Sequence, residues 1–373
     1  MRPTARRGVT PLYLLVFAAG VLVVYWTVMS AVRTFVLPRA ASVALTRVPF
    51  VLLRDLFRLR MRWSRDYEAR DAVMALYAPV GLLLLPVLWL VLVLAGYTGM
   101  FWAVGVRPWR AAFTTSGSSA FTLGFARPHD LPATALAFTE AALGIGLLAL
   151  LITYLPSMYA AFSRREREVA LLEVRAGSPP TAEAMLRRYY LIHGLDRLPE
   201  AFEQWETWFA DIEESHTSLA ALPFFRSPRP ERSWITAAGA VLDAAALRSS
   251  TVDAERVSSA ELCVRAGYLA LRHIADFFAI PYDPDPAPTD PISIRRDEFD
   301  GVYERLAAAG VPLKPDRDQA WRDFAGWRVN YDTVLLALAT LTMAPVAPWS
   351  SDRSPPFRRV PVTRRGRRRR RRG

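Results

Sequence analysis

Cysteine and lysine are nearly missing from this chain: 373 residues contain one of each, Cys263 and Lys314. A lone thiol cannot close an intrachain disulfide, so redox chemistry leaves no mark of the compartment. Also missing are the Gly-x-x-x-x-Gly-Lys-Ser/Thr phosphate loop and the Gly-x-Gly-x-x-Gly turn, which leaves nucleotide binding of those kinds without support. Strand-like alternation is scarce, so the expected fold class is all-α. No enzyme is expected and no cofactor is implied.

What the chain has in excess is uncharged apolar length. Hydrophobic residues make up 52%, concentrated before Arg164. Val9 to Val32 and Ala72 to Val106 carry no charge, and Leu131 to Ser163 carries only Glu140. Each stretch exceeds the ~20 residues that cross a bilayer as a helix. The first follows Arg2, Arg6 and Arg7 as a signal peptide would. Its apolar core is too long for that, however, and no small-x-small cleavage site follows, so it reads as retained. The expectation is a multi-pass membrane protein with three transmembrane helices.

Charge orients the spans. Nine arginines lie between the first two: Arg33, Arg39, Arg47, Arg54, Arg58, Arg60, Arg62, Arg65 and Arg70. Only Arg107, Arg110 and Arg127 lie between the second and third. Positive-inside bias therefore puts the first linker and everything after the third span in the cytoplasm of a cell-membrane protein. Arg164, Arg165 and Arg167 agree with that orientation, whereas the basic N-terminus opposes it.

Five regions follow. Residues 1–37 hold the N-terminal transmembrane helix and 38–71 a basic amphipathic cytoplasmic linker helix. Arg54, Arg58, Arg62 and Arg65 recur there at helical spacing, suited to anionic lipid or to packing on a soluble domain. Residues 72–162 form a unit of outer helix, loop and inner helix. Residues 163–349 form an all-α cytoplasmic domain, with apolar periodicity through 181–194, 197–222, 233–248, 257–280, 295–309 and 317–343. Leu335 to Val346 is too short to span and reads as a buried core helix. Residues 350–373 form a disordered arginine-rich tail, for which no specific nucleic acid is expected.

The segment from Thr114 to Ala126 is the most informative. It is rich in small hydroxyl residues, lies between two spans, and ends Thr122-Leu123-Gly124-Phe125-Ala126. It is too polar to cross lipid alone and too apolar for an ordinary external loop. Irregular backbone at membrane depth is tolerated only where protein buries it or it lines water. Glu140 is the only acid in a span, and such a residue is a functional hypothesis by default. It can hydrogen-bond the back of the turn through Ser118 or Ser119, or reach water at the outer interface. Ala142, Gly146, Ala149, Thr153 and Ser157 share one helical face, which can line a wet cavity or serve close helix packing.

These residues resemble the pore module of potassium channels, over Ala72 to Ser157. The resemblance implies that 108–121 is the pore helix and that Thr122, Leu123, Gly124, Phe125 and Ala126 stand at the filter position. It implies support from Ser118, Ser119 and Glu140, a gating hinge at Gly144 and Gly146, and a kink at Pro156. Asp130 would form an acidic ring at the outer mouth. It further implies a re-entrant pore loop, permeating potassium or sodium, and a homotetramer, since there is one loop per chain. Ala126 departs from the family pattern, in which a second glycine follows, and a Cβ resists positive φ. The implied filter has fewer ordered carbonyl rings and weaker selection of potassium over sodium. The rival from another class is a non-conducting membrane scaffold whose helical domain binds a partner.

Other clusters read as structural. Glu213, Glu214, Ser215 and His216 lack metal-ligand spacing, and prolines interrupt Asp283, Asp285 and Asp290. His193, His273 and Cys263 read as core residues. Trp205, Trp208 and Phe209 share a helix with Glu203, Glu206, Asp211, Glu213 and Glu214, which reads as a tryptophan-anchored core with a solvated acidic face or as a dock for the 54–65 arginines.

Overall fold

The computed structural model describes residues 11–35, 53, 57, 67–256 and 258–353. Among these the regular structure is helical, and one isolated bridge pairs Val252 with Leu313. Three helical stretches are long and apolar enough to cross a membrane, within Pro11–Thr34, Asp71–Val104 and Leu131–Ala176. Arg54, Arg58, Arg62 and Arg65 of the expected linker helix lie outside the described residues, as does the Arg367–Arg372 run. Two compact units are present. One takes in the chain up to Ser163 together with Ser215–Phe225, the other Arg164–Glu214 together with the chain from Arg226 onward.

In the first unit, helix α1 (Pro11–Phe35) lies along α3 (Tyr77–Val104), which the short α2 (Tyr67–Ala75) precedes. Glycine permits that approach: a Cβ at Gly20 would lie 2.6 Å from the Gly96 carbonyl oxygen, and one at Gly96 would lie 2.8 Å from Val24 Cγ2. Small residues that bring backbones together are how helices associate where burial from water gives no driving force. Leu85, Trp89, Val93, Tyr97 and Phe101 recur every fourth residue on α3, and all are buried. They meet Ala112 of α4 (Trp109–Ala120) and Ala133 and Leu147 of α5 (Leu131–Ala176). Leu83, Leu84, Val87 and Val91 on the other side of α3 are exposed, an apolar face that suits lipid.

Helix α5 has 46 residues, about 69 Å at 1.5 Å per residue, against a hydrocarbon core of about 30 Å. It continues from the first unit into the second after Ser163. There follow α6 (Ala182–Leu191), α7 (Leu198–Ser218), α8 (Trp234–Ser250), α9 (Ser258–Phe277), α10 (Arg296–Ala308), α11 (Arg317–Arg328) and α12 (Asp332–Thr342). The Thr181 and Asp316 side chains cap α6 and α11, accepting from Ala184 N and Gln319 N. Helix α8 is apolar nearly all round and buried along almost its whole length, as a central helix must be. Helices α6, α9 and α11 pack on it.

Trp205, Trp208, Phe209 and Ile212 of α7 lie in this core while Glu203, Asp211 and Glu214 are exposed, so the acidic face is solvated. Glu213 pairs with His273 Nδ1 at 2.6 Å, and both are partly exposed; His273 and His193 are surface residues, not core ones. Asp283 and Asp290 accept from the Asp285 and Ala287 amides and so close turns in the proline-rich connector. Cys263 is fully buried in α9, and burial pushes its thiol up, so it reacts only when the second unit opens.

The periodicity over 317–343 is two helices, not one. Asn330 is the reason: its side-chain amide donates to the Gly326 and Trp327 carbonyls, satisfying the end of α11. The break sets a charged cluster in the core. Arg328, fully buried, donates to Asp243 (2.6 Å), Asp332 (2.7 Å) and the Trp349 carbonyl (2.7 Å). The Tyr331 hydroxyl also donates to Asp243, and the Ser293 amide and hydroxyl donate to Asp332. Burial opposes the charge on Arg328, but the two carboxylates hold its pKa above the ordinary value.

Two predictions follow from these ion pairs. Arg328→Met leaves two buried carboxylates without their cation, and should cost about 3–5 kcal/mol. Denaturant-dependent labelling of Cys263 measures it, and an unshifted midpoint would contradict the account. Glu298 accepts from Arg353 and from the Arg295 amide, and the bond from Arg353 is the main reason its carboxyl lies below the ordinary value. A carboxylate depressed in the folded state stabilises fully above its unfolded pKa of about 4.3. That contribution is lost as pH falls through the lower, folded value. Glu298→Gln should therefore lower stability at neutral pH and flatten its acid dependence below about pH 4.3. An identical acid slope in the variant would refute this role.

Candidate functional site

The stretch between the second and third spans is built around α4. Helix α3 ends on Gly105 with φ +115, and α4 then packs back along α3. Ser116 marks how far. Its hydroxyl donates to Glu140 Oε1 (2.6 Å) and lies 3.2 Å from the Leu94 carbonyl oxygen. Leu94 is about 15 Å along α3 from its end at Val104, and Glu140 about 14 Å along α5 from Leu131. The C-terminal half of α4 is thus wedged between the interior of α3 and the first third of α5.

Sterics complete the wedge. A Cβ at Gly144 would lie 2.1 Å from the Ala120 carbonyl oxygen, a position no side chain can take. Gly144 is therefore the seat for the end of α4. Gly146 differs, since a Cβ there meets nothing within 4 Å. Pro156 lies farther along α5, exposed, between buried Tyr154 and Met158.

Glu140 is fully buried, so it does not reach water at the outer interface within this chain. Its partner is Ser116, two residues before Ser118 and three before Ser119, the hydroxyls expected there. Those two serve elsewhere: Ser118 Oγ accepts from the Ala126 amide, and Ser119 donates to the Thr115 carbonyl. The sequence signal for Ser116 was its membership of the hydroxyl-rich run; which hydroxyl met Glu140 depended on the packing angle.

Beyond α4 the chain folds tightly on itself. Thr122 N donates to the Ser119 carbonyl and Leu123 N to that of Ser118, at 3.0 and 2.8 Å. Thr122 and Gly124 both have left-handed backbones, φ +55 and +73. Such a φ is costly for threonine and free for glycine. Ser118 holds the base of the turn through Ala126, and Leu123 and Phe125 are 63% and 67% exposed. Thr122 to Ala126 is thus a strained, tethered turn whose side chains lack cover within the chain. Asp130 and His129 are exposed beside it.

The stripe Ala142, Gly146, Ala149, Thr153 and Ser157 is exposed along α5, and Thr153 and Ser157 donate to the Ala149 and Tyr154 carbonyls of their own helix. At the start of α4 stands a cluster absent from the sequence reading. The Arg107 guanidinium sits over the Tyr13 and Trp102 rings (4.4 and 5.0 Å), and Trp102 stacks on Trp109 at 4.7 Å. Aromatic rings and arginine of this kind gather where hydrocarbon meets headgroups.

The two glycines separate seat from open face. Gly144→Ala should destabilise the first unit by about 1–3 kcal/mol, the range for overpacking. Gly146→Ala should leave stability unchanged or raise it by up to about 1 kcal/mol, since a helix interior favours alanine. Thermal unfolding in detergent compares them, and equal effects would remove the distinction. Set beside models of known families, curated proteins and solved structures, the chain matches none.

Proposed function

We propose that this chain is a subunit of a monovalent cation channel, similar in its pore module to potassium channels. The observation that carries the reading is the wedge of α4 between α3 and α5, which ends in an exposed, left-handed turn around Gly124. If α3 and α5 span the bilayer, the levels of Leu94 and Glu140 along them support a turn well inside it and a re-entrant loop. Irregular backbone at such depth has to line water or be buried by protein. Carbonyl oxygens of Thr122 to Ala126 would then replace the ion's hydration shell, and no catalytic side chain takes part.

One loop per chain requires several copies around an axis, four by the resemblance. The exposure of Leu123, Phe125 and the stripe from Ala142 to Ser157 supports this, because these are the surfaces that copies would cover or line. Asp130 would ring the outer mouth and draw cations to it. The arginine asymmetry supports a cell-membrane protein with its second unit in the cytoplasm. The linker arginines Arg54, Arg58, Arg62 and Arg65 would rest on anionic lipid of the inner leaflet.

Potassium and sodium flux into liposomes carrying the purified protein tests this. We expect flux of both ions with modest preference for potassium, reduced about tenfold or more by Gly124→Asp, which sets a charge at the filter. Thr122→Ala should change the flux or the ion ratio. Flux insensitive to both substitutions, or a monomeric reconstituted protein, would rule the channel out and favour the membrane scaffold.

A further inference from the structure

Eleven residues leave the second unit and belong to the first. Helix α7 is anchored in the second unit by Trp205, Trp208, Phe209 and Ile212, yet its last turn and the chain to Phe225 pack with the membrane-type helices. Ala221 and Leu222 are buried there with Leu82 of α3 and with Tyr154, Met158 and Ala161 of α5. The Phe224 ring meets Tyr77 edge-on at 5.7 Å, and Phe225 lies 5.8 Å from Phe162. The chain returns to the second unit at Arg226, whose guanidinium donates to the Met343 carbonyl at 2.8 Å.

We propose that Ser215–Phe225 is a strap tying the state of α7 to the segment of α5 around Pro156. Two physical facts give the strap leverage. Pro156 has no amide proton, so the Ile152 carbonyl loses its helical bond and α5 is weakest there. Tyr154 and Met158, which hold Leu222, lie on either side of that weak point. Near the middle of α7 the packing has no slack: a Cβ on Gly267 would lie 2.9 Å from the Phe209 ring and 2.4 Å from Leu242. Gly267 is one turn from Cys263 on α9. A helix gripped at its middle and continued directly into the strap passes displacement on, and such coupling acts equally in both directions.

Reciprocity supplies a test that needs no ion flux. In the reconstituted full chain, Leu82→Ala and Met158→Ala loosen the seat of Leu222. Each should raise the labelling rate of Cys263 by about tenfold, as the cavity's cost is passed along α7. Leu82→Val, which keeps an apolar seat, should give a smaller rise. Val93→Ala, equally buried in the first unit but away from the strap, should give none. Unchanged labelling in Leu82→Ala and Met158→Ala, or an equal rise in Val93→Ala, would overturn the strap.

The gating consequence rests on the channel reading. Flux should then change in Leu82→Ala and Met158→Ala while the potassium-to-sodium ratio holds, because the Thr122–Ala126 turn is untouched. A changed ratio would overturn that consequence. A chain that conducts nothing in any form would end the channel reading, and the Cys263 rates would still decide the strap.

Discussion

The candidate site depends on one contact, that of the Ala120 carbonyl with Gly144. There is no space for a methyl group between them, so α4 can approach α5 this closely only where the helix has no side chain. Ser116 and Glu140 then meet as a consequence, and the turn from Thr122 to Ala126 is carried to its position by the end of α4. The same device joins α1 to α3 through Gly20 and Gly96. In both places contact replaces hydrophobic driving force, since lipid is as apolar as the surfaces being joined.

The second unit is held by different physics. Its core is a conventional apolar interior around α8, but it also contains Arg328 with Asp243 and Asp332, all removed from water. Such a cluster tolerates no missing member, because each charge is paid for by the others. It also fixes where α11 stops and α12 starts, since Arg328 and Asp332 stand on either side of the break at Asn330. The hydrogen bonds to the Trp349 carbonyl and to Ser293 extend this restraint to two connecting segments.

The two units share more than a linker. Helix α5 runs through both, and α7 begins in one and ends in the other. In the proposed channel the second unit therefore has two routes to this part of α5, a covalent one through the helix itself and a packing one through Leu222. That arrangement suits a domain that sets the state of a gate.

Local chemistry determined much of this protein in advance. Uncharged run length identified the three candidate spans and apolar periodicity located the helices of the second unit, while α4 was expected only from the pore-module resemblance. Gly124 was readable as a left-handed residue because glycine alone adopts that backbone freely. What the sequence could not determine were the distances across the fold. That Glu140 meets Ser116, not Ser118 or Ser119, follows from how α4 crosses α5. That Gly144 is a seat and Gly146 an open face follows from which side of α5 receives Ala120. Arg328 reaches Asp243 from far along the chain, and Ser215–Phe225 leaves its sequence neighbours for Tyr154 and Met158. Each of these pairs residues by packing geometry, which periodicity and composition do not encode, so only the tertiary structure decided them.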